Sequence, residues 1–151
     1  MINEKVTVNF CVHYLLQNII VKEKSMQKLI FKFWNKSNYY NFIADIDENK
    51  VSYKVKSKNF SENKEGMLDV SSTKEFVEKL KKAEIENWLG IYYKDESTIM
   101  DVGQFNLCYV DDNANIFFTV GVEGCQPKEY EYMIRALAVC DANARNLSIF
   151  D

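Results

Sequence analysis

The sequence predicts an α+β fold, with an antiparallel sheet of about five strands in the order β-β-β-α-β-β-α and two helices packed on one face. Three observations carry this expectation. Five short runs alternate apolar and polar residues, the period of a half-buried strand. Two longer runs place apolar residues at helical spacing. The clusters between successive strands are short and turn-forming, which favours hairpins and therefore antiparallel pairing.

The cleanest alternation begins just after Met26. Leu29, Phe31 and Phe33 share one face, with Lys28 and Lys32 on the other. Tyr40, Phe42, Ala44 and Ile46 share a face of the next run, and Asp47-Glu48-Asn49-Lys50 reads as a turn. Val51, Tyr53 and Val55 follow, with Ser52, Lys54 and Lys56 opposite, so these three strands present one buried and one wet face. Residues 57–69 read as a polar loop containing Gly66. Ser72 and Glu75 have capping-box spacing and would start the first helix, whose stripe is Phe76, Val77, Leu80 and Ala83. Trp88, Ile91, Tyr92 and Tyr93 form an aromatic segment. Phe105, Leu107 and Tyr109 alternate, Asp111 to Asn115 turn, and Ile116, Phe118 and Val120 return as far as Gly121. Pro127, the only proline, suits the first position of a second helix with the stripe Tyr130, Met133, Ile134, Leu137 and Ala138.

At 151 residues the chain has the size of one domain. Its 47% hydrophobic and 27% charged residues match soluble globular averages and exclude disordered and collagen-like classes. No linker divides it. Residues 26–151 read as a single α+β domain, and residues 1–25 as an ambiguous N-terminal segment, strand-like at Val6, Val8, Phe10 and Val12 and helical from Tyr14 to Val21, with Met26 as an alternative start. The apolar stretch Phe10–Val21 contains His13, Gln17 and Asn18 and is too short to span a bilayer. It also lacks the basic flank and cleavage site of a signal peptide. Cys11, Cys108, Cys125 and Cys140 form no CxxC pair, and Cys108 and Cys140 lie in apolar patterns as small hydrophobes. A reducing cytoplasm is the expected compartment. Abundant Lys and Asn with few Arg suit an AT-rich bacterial genome.

Chemistry is narrowed mainly by what is scarce. His13 is the only histidine, which leaves little material for Ser-His or Cys-His catalysis or for zinc. No nucleophile elbow, P-loop, dinucleotide fingerprint or EF-hand loop is present. The expectation is no catalytic residues, no metal and no cofactor. Paired carboxylates remain as material for acid–base work. Asp101 precedes a strand and Glu123 follows its hairpin partner, so both could meet Gln104 at one sheet end; Asp111 and Asp112 read as turn residues.

The net charge of −3 conceals a division. Residues 1–64 carry 11 Lys against 6 acids, or +5, and residues 65–151 carry 8 basic residues against 16 acids, or −8. Such a split marks either attraction within one fold or a binding surface. Arginine, the better reader of phosphates and bases, occurs only at 135 and 145, which argues against nucleic acid as the partner. Aromatics reach 14%. Trp34 and Tyr39 fall on the Lys-bearing face of the first hairpin, and Trp88, Tyr92 and Tyr93 cluster after the first helix. Exposed aromatics beside Lys suit a protein hot spot or a stacking platform for single strands, unless another element covers them.

Trp88-Leu89-Gly90-Ile91-Tyr92-Tyr93, Asp101-Val102-Gly103-Gln104-Phe105-Asn106-Leu107 and the stretch from Gly121 to Pro127 together resemble a family of small, largely uncharacterised bacterial α+β domains. Val102 between Asp101 and Gly103, Phe105 in place of Trp, and Cys125-Gln126 before the proline depart from its pattern. The resemblance implies a fold and no activity.

The functional expectation is therefore a non-enzymatic domain that binds a basic protein partner, of immunity or regulatory type, without a membrane. The binding candidates are Trp34, Tyr39, Trp88, Tyr92, Tyr93, Asp101, Gln104 and Glu123. A small-ligand or enzymatic site built on Asp101, Gln104 and Glu123 is the first alternative. Single-strand nucleic-acid binding by Trp34, Tyr39 and the Lys face is the second.

Overall fold

The computed structural model of the chain describes residues 26–93 and 102–148. The readings made on His13, Cys11, the stretch Phe10–Val21 and Asp101 lie outside the described residues.

Alternation sets the first three strands: β1 (Gln27–Asn35), β2 (Asn38–Ile46) and β3 (Val51–Lys58). They pair antiparallel, with Phe31 opposite Phe42 and Phe42 opposite Val55. A fourth strand, β4 (Lys64–Met67), lies beside β3. The chain then enters α1 (Val70–Lys82), a short 3-10 turn at Ile85–Asn87 and the two-residue strand β5 (Ile91–Tyr92). The hairpin β6 (Gln104–Val110) and β7 (Ile116–Val122) precedes α2 (Tyr130–Cys140) and a 3-10 helix at Ala142–Leu147.

The sheet has seven strands in the order β4-β3-β2-β1-β6-β7-β5. It is mixed rather than wholly antiparallel, because β5 runs parallel to β7. The two additional strands are the two edges. β4 has only four residues and lies inside the segment read as a loop, and β5 is too short to show any period. Short edge strands offer little free backbone to a second sheet.

Two helix starts also differ from expectation. The α1 cap is Asp69, whose carboxylate accepts the Ser72 N–H at 2.7 Å, so Ser72 lies inside the helix. Pro127 precedes α2 in a lead-in turn, its carbonyl accepting the Tyr130 N–H at 3.0 Å.

Both helices cover the sheet face that carries Leu29, Phe31, Phe33, Tyr40, Phe42, Phe105 and Leu107. Phe76 of α1 stacks on Phe42 at 6.5 Å, and Tyr130 of α2 meets Phe105 at 5.5 Å and Phe31 at 6.0 Å. Each such buried ring contributes roughly 1.5–3 kcal/mol. Gly121 permits this packing next to β5. A Cβ there would stand 2.7 Å from the Phe105 ring and 2.9 Å from Tyr92 Cβ.

The opposite face divides by position. On β3, Lys54 and Lys56 are exposed as expected. On the central strands β1 and β6, Ile30, Cys108 and Val110 are buried together, with Ile43 and Phe118 against them. Lys28 on this face is buried and paired with Asp45 at 3.1 Å. The expectation of a wet second face therefore holds on β3 and fails at Lys28, Ile30, Cys108 and Val110 on the central strands.

Candidate functional site

The sequence-derived candidates occupy both faces of the sheet. Trp34 pairs across strands with Tyr39 on one side and Gln104 on the other, so these three form a row on the face away from the helices. Trp34 is half-buried and Tyr39 is 40% exposed. Lys58 lies opposite Tyr39, and Lys56 and Lys54 share its face further along β3.

Trp88 and Tyr92 belong to the helix side. Trp88 donates its indole N–H to the Ala83 carbonyl at 2.6 Å and lies 6.5 Å from the Tyr130 ring. The Tyr92 hydroxyl accepts the Leu89 N–H at 2.9 Å. Tyr93, directly after β5, is half-buried. The Glu123 carboxylate accepts the Gly103 N–H at 3.1 Å, and the Gly103 carbonyl accepts the Glu123 N–H at 2.7 Å. Glu123 thus closes the open end of the β6–β7 hairpin. Gln104 follows Gly103 on the face away from Trp88.

A feature built from residues not singled out by sequence lies elsewhere. The last turn of α1, the Ile85–Asn87 turn and one end of the β6–β7 hairpin enclose a cleft of about 480 Å³. Its floor is apolar, with Leu80 and Ile85 beside Tyr109 and Phe117, whose rings stack at 6.2 Å. Four carboxylates line it: Glu84, Glu86, Asp111 and Asp112; Lys81 is its only cation among the described residues. Among the described residues, Glu84, Glu86 and Asp112 form no ion pair.

The local chain explains how these groups are held. Glu84 follows the end of α1 in the left-handed conformation, at φ 47° and ψ 46°. That position normally favours glycine, because a Cβ crowds the neighbouring backbone there. Asp111 accepts N–H groups from Asn113 at 3.0 Å and Asn115 at 2.8 Å, which shapes the hairpin turn. Burial raises its pKa, but the bonds from Asn115 and Asn113 outweigh burial and hold it below the usual carboxylate range. Tyr109 donates to Gln27 Oε1 at 2.9 Å. Burial, then the charges of Glu86, Asp111 and Asp112, push its phenol up to about 12. The cleft is thus strongly negative around an aromatic wall, a chemistry suited to an ammonium or guanidinium group.

A second polar cluster centres on a buried carboxylate. Asp141, 1% exposed, accepts from the Tyr40 hydroxyl at 3.0 Å, from Lys64 Nζ at 2.8 Å and from the Asn143 N–H at 3.3 Å. Burial raises the Asp141 pKa, but hydrogen bonds led by the one from Lys64 outweigh it and leave the carboxyl below its usual range. The Asp141 hydrogen bond in turn raises Lys64. Burial, together with Asp141, raises the Tyr40 phenol and pushes the Cys140 thiol up to about 12. Cys140 is therefore a protonated thiol at neutral pH and a poor nucleophile. The cluster ties β2, the edge strand β4 and the end of α2 together.

No helix among the described residues is long and apolar enough to cross a membrane. Comparison of the chain with protein-family models and with curated proteins returned no match.

Proposed function

We propose that this chain is a non-enzymatic protein-binding domain that captures a basic segment of its partner in the acidic cleft. Glu84, Glu86 and Asp112, without an ion pair among the described residues around the stacked Tyr109 and Phe117, carry the proposal. Like charges held together destabilise the free surface, and a Lys or Arg side chain of the partner relieves that repulsion while its stem covers the apolar floor. The excess of 16 acids over 8 basic residues after position 64 extends the same field and speeds encounter. An immunity-type or regulatory protein of a bacterial cytoplasm fits this chemistry. The test is affinity capture at low salt with the wild-type chain and with Glu84→Lys/Glu86→Lys. The expected result is one stoichiometric basic protein that the charge-reversed chain and high salt both release. Identical capture by the two chains would overturn the proposal.

The Lys54, Lys56 and Lys58 stripe beside exposed Tyr39 supports a second reading, single-strand nucleic-acid binding on the other face. It requires steep salt dependence with short oligonucleotides and loss of affinity in Tyr39→Ala. Binding that salt leaves unchanged eliminates it.

A further inference from the structure

A cavity of about 280 Å³ lies between α1, α2 and the Ala142–Leu147 helix. Both arginines of the chain, Arg135 and Arg145, line it together with Lys79. Their convergence is out of proportion to the surrounding composition. Residues 65–151 carry 8 basic residues and 16 acids, yet three of those cations and a single acid, Glu131, meet here.

The cations differ in how they are held. Lys79 pairs with Glu75 at 2.7 Å on its own helix. Arg135 lies 3.5 Å from Glu131 and over the Tyr132 ring at 5.5 Å. Ser148 Oγ also donates to Glu131. Arg145 is exposed and forms no ion pair among the described residues. The floor is apolar, formed by Ile134 and Ala138.

We propose that this cavity binds a phosphate monoester. Lys79, Arg135 and Arg145 against Glu75 and Glu131 leave a net +1, centred on Arg145, and a monoester carries about −1.5 to −2 at neutral pH. Arginine presents a planar fork matched to two phosphate oxygens, which lysine does not. Ile134 and Ala138 supply an apolar surface for the carbon side of the ester. The volume lies at the lower end for small-molecule pockets, so the ligand is a phosphate on a small organic group rather than a nucleotide. This site is independent of the acidic cleft.

The experiment titrates the intact chain with phenyl phosphate, inorganic phosphate and acetate, following backbone amide shifts by NMR. Expected are saturable shifts centred on Glu131, Arg135 and Arg145, tightest for phenyl phosphate and weakening as pH falls below about 6. Arg135→Lys and Arg145→Gln each weaken binding by about tenfold or more, the loss of one charged hydrogen bond. Glu131→Gln removes the competing carboxylate and strengthens it. Arg135 and Arg145 are exposed and Glu131 is half-buried, so an unchanged melting temperature in each variant separates loss of binding from loss of fold. Shifts that grow linearly and spread over many lysines, equal shifts with acetate, or full affinity in Arg145→Gln would each overturn the assignment.

Discussion

Replacing Asp141 by Ala should be the most costly single change at a polar residue among those described. Three interactions end on its carboxylate. The Tyr40 hydroxyl is fully enclosed and would be left without an acceptor, at about 1–3 kcal/mol. Loss of the bond that caps the Ala142–Leu147 helix adds about 0.5–2 kcal/mol. The Lys64 side chain is one-third exposed and can turn to water, so its share is near the surface value of about 0–1 kcal/mol. Together these give roughly 1.5–6 kcal/mol, centred on about 3.5, a large part of the ~5–15 kcal/mol typical of a domain. At about 2–4 °C per kcal/mol for a chain of this size, the centre of that range lowers the melting temperature by about 7–14 °C. Chemical denaturation at neutral pH measures it, with Tyr40→Phe and the double variant closing a cycle. The double variant should cost about 1–2 kcal/mol less than the sum of the singles, because both remove the same bond.

The pH dependence gives an independent check. The Asp141 carboxyl is held below its unfolded value, so its contribution is complete above that value and is lost as pH falls through the depressed one. Wild type should therefore weaken below about pH 4 more than Asp141→Asn does. A cost for Asp141→Ala under about 0.5 kcal/mol, or a cycle with no coupling, would refute the account of Asp141 as a shared acceptor.

Glu84→Gly should leave stability unchanged or raise it by up to about 1 kcal/mol, since it relieves a left-handed non-glycine residue, while weakening partner binding; denaturation and a binding titration in parallel read both, and a destabilised variant would contradict the strain. Gly121→Ala should cost about 1–3 kcal/mol in thermal melting, because the added methyl would meet the Phe105 ring and Tyr92; a neutral variant would show that β5 yields. At alkaline pH, the buried Tyr40 and Tyr130 phenols stay protonated in the fold, burial being the first cause for each. Their unfolded forms ionise above about pH 10, so stability is intact below that value and drops by up to about 1.4 kcal/mol per pH unit for each as pH rises. Phenolate absorbance should then appear together with unfolding rather than before it, and early ionisation of all tyrosines would disprove their enclosure.

The local patterns were legible because they are local. Period-two spacing placed Leu29, Phe31 and Phe33 on one face of β1, and Tyr40, Phe42 and Ala44 on the matching face of β2, which is how the structure pairs them. Helical spacing identified Phe76 and Leu80, and Tyr130, Met133, Ile134 and Leu137, as the buried stripes of α1 and α2. The same logic missed β5, since two residues carry no period, and β4, whose Lys-Glu-Gly-Met reads as loop.

What the sequence determined alone was the class of fold, the identity of the helix-facing core and the division of charge, each a property of neighbours along the chain. Tertiary structure decided which strands meet, and with that where the chemistry lies. Asp111 and Asp112 read as turn residues, and turn residues they are; only the return of the β6–β7 hairpin beside the end of α1 sets them next to Glu84 and Glu86. In the same way, Lys64 and Asp141, 77 positions apart, become an ion pair with a buried carboxylate because β4 closes the sheet beside the end of α2. Such juxtapositions are set by packing between distant segments, and no spacing within a single segment encodes them.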